Sequence, residues 1–115
     1  MEFIEAVNFT RYLPRYLDDE GFRILQLYLV ENPKAGDVVA GTGGLRKLRW
    51  RDERRGKGKR GGLRIIYYYL VAGSQIWLMT LYDKDEADDM TAAERKTYRG
   101  LVEEIKAAWA RNKNR

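Results

Sequence analysis

The chain contains neither cysteine nor histidine. Without cysteine there is no disulfide framework, no thiol nucleophile and no thiolate metal site. Without histidine, the usual zinc and iron ligand, the usual general base and any Ser-His-Asp constellation are excluded. Proton transfers, if the protein performs any, fall to Lys, Tyr, Asp or Glu. Long apolar runs are also missing, and none approaches the ~20 residues of a membrane span. The start, MEFIEAVNF, lacks the basic end and apolar block of a signal peptide. The expectation is a cytoplasmic protein with no membrane partner, no metal and no cofactor. The run Gly41-Thr-Gly-Gly44 lacks the lysine and following helix of a nucleotide-binding phosphate loop.

What is present fits one small globular domain spanning residues 1–115, with 44% hydrophobic and 34% charged residues. The net charge of +5 and the isoelectric point near 9.5 suggest a polyanionic partner. Residues 2–7 predict a short strand with Phe3, Glu5 and Val7 on one face. Tyr12, Leu13 and Tyr16 predict a short first helix, which Pro14 keeps from being long. Phe22, Leu25 and Leu29 predict a second helix, capped by Asp18 or Asp19 and ended at Asn32-Pro33. Residues 34–44 read as a glycine-punctuated connection. Three strands follow, over 45–50, 63–71 and 75–82, the last two joined by a hairpin. Thr91 and Glu94 form a capping box for a final helix. Its packed face is Tyr98, Leu101, Val102, Ile105, Ala108 and Trp109, with a fraying tail over 111–115. The expected fold is α+β: an antiparallel sheet, helices gathered on one side, and one sheet face left for a ligand.

The charge is unevenly placed. Between Gly41 and Leu70 there are ten cations and two acids, a local excess of eight that leaves the rest of the chain net negative. Its densest part, RRGKGKRGG (54–62), holds five cations and four glycines. Alone it reads equally well as a solvated hairpin tip. Its neighbours change the reading. Lys47 and Arg49 share a strand face that leads into the loop. Arg64 follows within an otherwise apolar strand, where a cation needs a reason to be. Lys84 closes the third strand beside Tyr82. This arrangement fits a cationic face that holds a phosphodiester backbone. Tyr67, Tyr68 and Tyr69 read as packing residues rather than base-stacking ones. The acids of 83–89 read as a solvated turn that favours the N-terminus of the last helix.

Three blocks, NPKAGDVVAGTGGLRKLRW, GKGKRGGLRIIYYYL and LMTLYDKDE, together resemble the HigB-type toxins of the RelE superfamily, and the resemblance spans nearly the whole chain. It implies a RelE-like fold: N-terminal helices, a curved antiparallel sheet and a C-terminal helix. It implies a ribosome-dependent, metal-independent endoribonuclease that cuts mRNA in the A site. It also implies a cognate helix-turn-helix antitoxin, with operator DNA bound only through the toxin–antitoxin complex. By the family's pattern, the catalytic residues fall on Arg64, Lys84, Lys59, Lys57 and Tyr82. RNA and ribosome binding falls on Lys47, Arg49 and Arg60; Arg54 and Arg55, at the outer edge of the loop, read either as part of that binding or as solvated decoration. One departure stands out: the nearest register to the C-terminal catalytic tyrosine of RelE-type members holds Met90, with Tyr82 as a substitute. Two other functional readings compete, a non-catalytic basic RNA- or DNA-binding module and a degenerate toxin that serves as a regulatory subunit.

Overall fold

In the computed structural model, the described residues are 1–51, 62–87 and 89–113. They form, in order, β1 (Glu2–Glu5), α1 (Val7–Tyr16), α2 (Asp19–Glu31), β2 (Asp37–Val38), β3 (Leu45–Trp50), β4 (Leu63–Leu70), β5 (Gln75–Asp83) and α3 (Ala92–Lys113). The fold is α+β, with one mixed sheet ordered β1-β5-β4-β3-β2.

The predicted N-terminal strand stops at Glu5, and Val7 opens α1 with its side chain largely exposed. Phe9, Tyr12, Leu13 and Tyr16 then recur at helical spacing and pack into the core. Pro14 lies inside α1, but so near its end that the helix closes at Leu17, whose N–H donates to the Leu13 carbonyl at 3.0 Å. Asp18 caps α2 by accepting from the Gly21 N–H at 2.7 Å. Asn32 ends α2, its N–H donating to the Tyr28 carbonyl at 2.8 Å.

The sheet departs from expectation in two ways. β1 pairs with β5 in parallel, Glu2–Glu5 against Gln75–Leu78. The short link 71–74 makes β4 and β5 an antiparallel hairpin, and β3 pairs antiparallel with β4, whereas strands from opposite ends of the chain carry no such constraint. The connection 34–44 also contains a strand, β2, which pairs Asp37 with Lys47 and Val38 with Arg46. Its approach depends on Gly36. A Cβ there would sit 3.0 Å from the Tyr67 ring and 3.1 Å from both the Arg46 Cβ and the Lys47 carbonyl carbon. The Gly36 N–H donates to the Tyr67 hydroxyl at 3.0 Å, and that hydroxyl donates to the Pro33 carbonyl at 2.8 Å. In the Gly41–Gly44 turn, Thr42 donates to the Val39 carbonyl and accepts from the Leu45 amide.

The helices do not gather on one side. α1 and α2 cover one face, where Phe9, Leu25 and Leu29 meet Leu48, Leu63, Ile65, Tyr67, Leu78 and Leu81. α3 covers part of the other, where Tyr98, Val102 and Ile105 meet Leu45, Ile66, Tyr68, Leu70 and Met79. A bulge on β5 shifts the register, so that Ile66 faces Thr80 while Tyr67 faces Leu78. Met79 is the extra residue, and its side chain joins the α3 core. The capping box forms as expected: Glu94 N–H donates to Thr91 Oγ1 at 3.1 Å, and Thr91 N–H donates to Glu94 Oε1 at 2.9 Å. The helix it opens runs to Lys113, past the start of the expected fraying tail. So the sheet face expected to be free for a ligand is partly covered by α3.

Candidate functional site

Strand register builds the site. Arg49 on β3 is the direct partner of Arg64 on β4, and Arg64 is the direct partner of Tyr82 on β5. These three residues form one row across three strands. The adjacent row on the same face is Lys47, Ile66 and Thr80. Neighbouring strands lie about 4.8 Å apart, so same-face side chains in a row meet one another. Two guanidiniums directly opposite each other across a strand pair repel.

Arg64 is only 6% exposed, a buried cation between Leu63 and Ile65. Its Nη1 donates to the Leu63 carbonyl at 3.2 Å. Arg49 is exposed and Lys47 half-buried. Lys84 is exposed, and its amide donates to the Gly62 carbonyl at 3.2 Å, extending the β4–β5 ladder. Trp50 pairs with Leu63. The chain therefore leaves and re-enters the sheet one register position from Arg49 and Arg64. The predicted loop residues Arg54, Arg55, Lys57, Lys59 and Arg60 lie outside the described residues.

Tyr82 is partly buried and packs against the α3 core. Its hydroxyl oxygen is shielded from solvent, and Asp89 is the carboxylate that interacts with it. Burial pushes its pKa up to about 12, and the negative charge of Asp89 adds to that against the opposing pull of Arg64. The phenol is therefore protonated at neutral pH. It can donate a proton or a hydrogen bond, and it is unsuited to act as a base.

Asp89 and Arg95 were not anticipated as site residues. The acidic stretch is more than a solvated turn: Asp83 is fully buried. Asp89 ties α3 to the sheet, its Oδ1 3.5 Å from Lys47 Nζ and its Oδ2 2.8 Å from Arg95 Nη2. Burial works to raise the Asp89 carboxyl. The Met90 amide, which donates to it at 2.7 Å, and the charges of Lys47 and Arg95 outweigh that and hold it below the ordinary range. No periodicity links residues 47, 89 and 95, and Arg95 sits inconspicuously behind the capping box. The only sequence cue was an acid placed just ahead of a helix with a basic residue in its first turns.

Other aromatic and sulfur-bearing candidates are structural. Met90 is buried among Met79, Tyr98 and Val102. The Tyr98 hydroxyl accepts from Asn8 Nδ2 at 3.0 Å. Tyr68 is buried under α3, with Lys106 Nζ 5.7 Å from its ring centroid. Neither Tyr67 nor Tyr68 offers a face for a base to stack on. Among the described residues there is no group of three or more acidic side chains placed to hold a metal ion. None of the described helices is long and apolar enough to cross a membrane.

No protein-family model matches the chain. Among solved structures, it is similar to an arginine-to-alanine double mutant of the E. coli toxin RelE in the free state, at 14% identity and a TM-score of 0.49. That match covers 76% of this chain and 86% of the other. It is also similar to the isolated E. coli RelE toxin in a P21 crystal form, at 14% identity and a TM-score of 0.47, covering 90% of this chain and 97% of the other.

Proposed function

We propose that this protein is the toxin of a bacterial toxin–antitoxin pair, a HigB-type member of the RelE superfamily. In this reading it cleaves mRNA in the ribosomal A site and is neutralised by a helix-turn-helix antitoxin. The observation that carries the reading is the Arg49–Arg64–Tyr82 row. It makes two guanidiniums and a protonated phenol direct neighbours across β3, β4 and β5. The three-block sequence resemblance supplies the class of reaction.

The chemistry follows from the substrate. The 2′-oxygen of the RNA attacks the adjacent phosphorus, and the P–O5′ bond breaks. The products are a 2′,3′-cyclic phosphate and a free 5′-hydroxyl. One proton must leave the 2′-OH and one must reach the 5′-oxygen. Arg64 meets the charge on the phosphorane, since a guanidinium is always charged and grips two phosphate oxygens at once. Tyr82, held protonated, suits donation to the 5′-oxygen. Lys84, Lys57 or Lys59 accepts the 2′-proton. Lys47 and Arg49, with Arg54, Arg55 and Arg60, hold the RNA and ribosome. Much of the rate comes from holding the 2′-oxygen in line, a geometry the ribosome helps impose, so free RNA is a poor substrate.

A regulatory, non-cleaving toxin relative is the second reading. It is favoured by one observation: Met90, in the nearest register to the family's C-terminal tyrosine, is core packing. Primer extension on a message translated in a purified system separates the two. Wild type yields discrete 5′ ends within codons, and Arg64→Ala yields none while keeping its circular dichroism spectrum. A wild-type message left intact would sink the enzymatic reading.

A further inference from the structure

Asp83 is fully buried and stands outside the Arg49–Arg64–Tyr82 row. A carboxylate is seldom buried without partners that fix it. Asp83 lies between two site residues. Its register partner is Leu63, on the face that α1 and α2 cover. Tyr82 before it pairs with Arg64, on the opposite face. After it, the Lys84 amide donates to the Gly62 carbonyl at 3.2 Å, so the ladder runs one step past β5. Strand alternation therefore returns Lys84 to the face of Arg64 and Tyr82. Gly62, opposite Lys84, has no side chain to crowd it.

The turn that carries Lys84 is held from both of its ends. Asp83 Oδ1 accepts from the Asp85 amide at 2.8 Å. The Asp83 carbonyl accepts from the Glu86 amide at 2.9 Å and from the Ala87 amide at 3.1 Å. Glu86 Oε2 accepts from the Tyr16 hydroxyl at 3.2 Å, a tie to a residue 70 positions away in sequence. Tyr16, at the end of α1, is only 7% exposed and packs in the core. Its burial, and then the Glu86 charge, push the phenol above its ordinary value, so it stays protonated and donates. Lys84 is itself exposed, and a lysine ammonium is a point charge on a flexible four-carbon stem. Its reach toward the row is set by where its main chain is held.

We propose that Asp83, Glu86 and Tyr16 are positioning residues for Lys84. Asp83 and Glu86 hold the main chain of the 83–87 turn, and Tyr16 anchors that turn to α1. The Lys84 ammonium is thereby presented to the phosphate gripped by Arg64. This rests on the RNA-cleaving reading and extends it. Of the three lysines that could accept the 2′-proton, Lys84 is the one within the described residues, and its main chain is anchored from the opposite face of the sheet. A group placed before the substrate arrives needs less ordering during the reaction.

The test is cleavage of a message on programmed ribosomes by an excess of the purified full chain, read by primer extension. Two quantities are measured: the rate at saturating protein, and the protein concentration that gives half of it. Tyr16→Phe keeps the ring and removes the tie. It is expected to lower the saturating rate about tenfold and to leave the half-saturating concentration unchanged. Glu86→Ala does the same, whereas Glu86→Gln keeps an acceptor oxygen for Tyr16 and restores most of the rate. Arg23→Gln, which removes an exposed pair with Glu20 on α2, is the control. Glu86 is exposed, so Glu86→Ala carries the test if Tyr16→Phe melts early. The deciding arm is a double-mutant cycle. In a Lys84→Ala background, Tyr16→Phe has no further effect if it acts through Lys84, while damage to the fold lowers the rate by the same factor in both backgrounds. If Lys84→Ala leaves no measurable cleavage, the split between rate and half-saturation and the recovery in Glu86→Gln decide. Tyr16→Phe and Glu86→Ala that cleave like Arg23→Gln, equal losses in both backgrounds, or a Lys84→Ala that cleaves like wild type would overturn the positioning role alone. A message left intact by wild type would instead overturn the RNA-cleaving reading, and the positioning role with it.

Discussion

Tyr82 carries the sharpest residue-level consequence. Its hydroxyl is shielded from solvent and interacts with the Asp89 carboxylate. Tyr82→Phe keeps the ring packed against the α3 core and removes a group that can donate a proton. It is expected to leave the melting temperature within a few degrees of wild type and to lower mRNA cleavage, read by primer extension. Asp89 gives the complementary pH expectation. Its carboxyl titrates lower in the folded protein than the ordinary 3.8. The stability it contributes is complete above that value and disappears as the pH falls through the lower folded value. Melts of wild type and Asp89→Asn should therefore differ by a constant amount down to about pH 4 and converge below it. Lys47, Arg49 and Arg64 could be named as one face from strand alternation alone. Asp89 and Arg95 could not, because what joins them to Lys47 is the placement of α3 on the sheet.

At the scale of the element, α3 shows how local chemistry supports the site. The Thr91–Glu94 box satisfies donors that the first turn would otherwise leave open. Arg95 stands one residue beyond it. Thr91→Ala is expected to cost about 1 kcal/mol in a denaturant melt and, by fraying that turn, to loosen the Arg95–Asp89 contact. The helix was legible because its cap, period and packed face all agree. α2 was legible for the same reasons. β1 was misjudged in length and partner: four residues of an edge strand carry too little alternation to fix an end, and a parallel partner lies far away in sequence. β2 has only two residues, and its one advance notice was a glycine that the Tyr67 side chain needs close by.

For the whole molecule, the question was which surface remains after the core is buried. The apolar residues of β3, β4 and β5 divide between two faces. α1 and α2 claim one, and α3 claims only the part around Leu45, Tyr68 and Leu70. Lys47, Arg49 and Arg64 stand on that same second face. The sequence by itself determined the elements with strong local signals, the absence of histidine and cysteine chemistry, and the concentration of cations around β3 and β4. These depend on residue type and spacing within a few turns or strand positions. Only the tertiary structure decided that Arg49, Arg64 and Tyr82 stand in one row, since register is set by pairing between strands. It also decided that α3 crosses to the second face, where Asp89 joins Arg95 to Lys47.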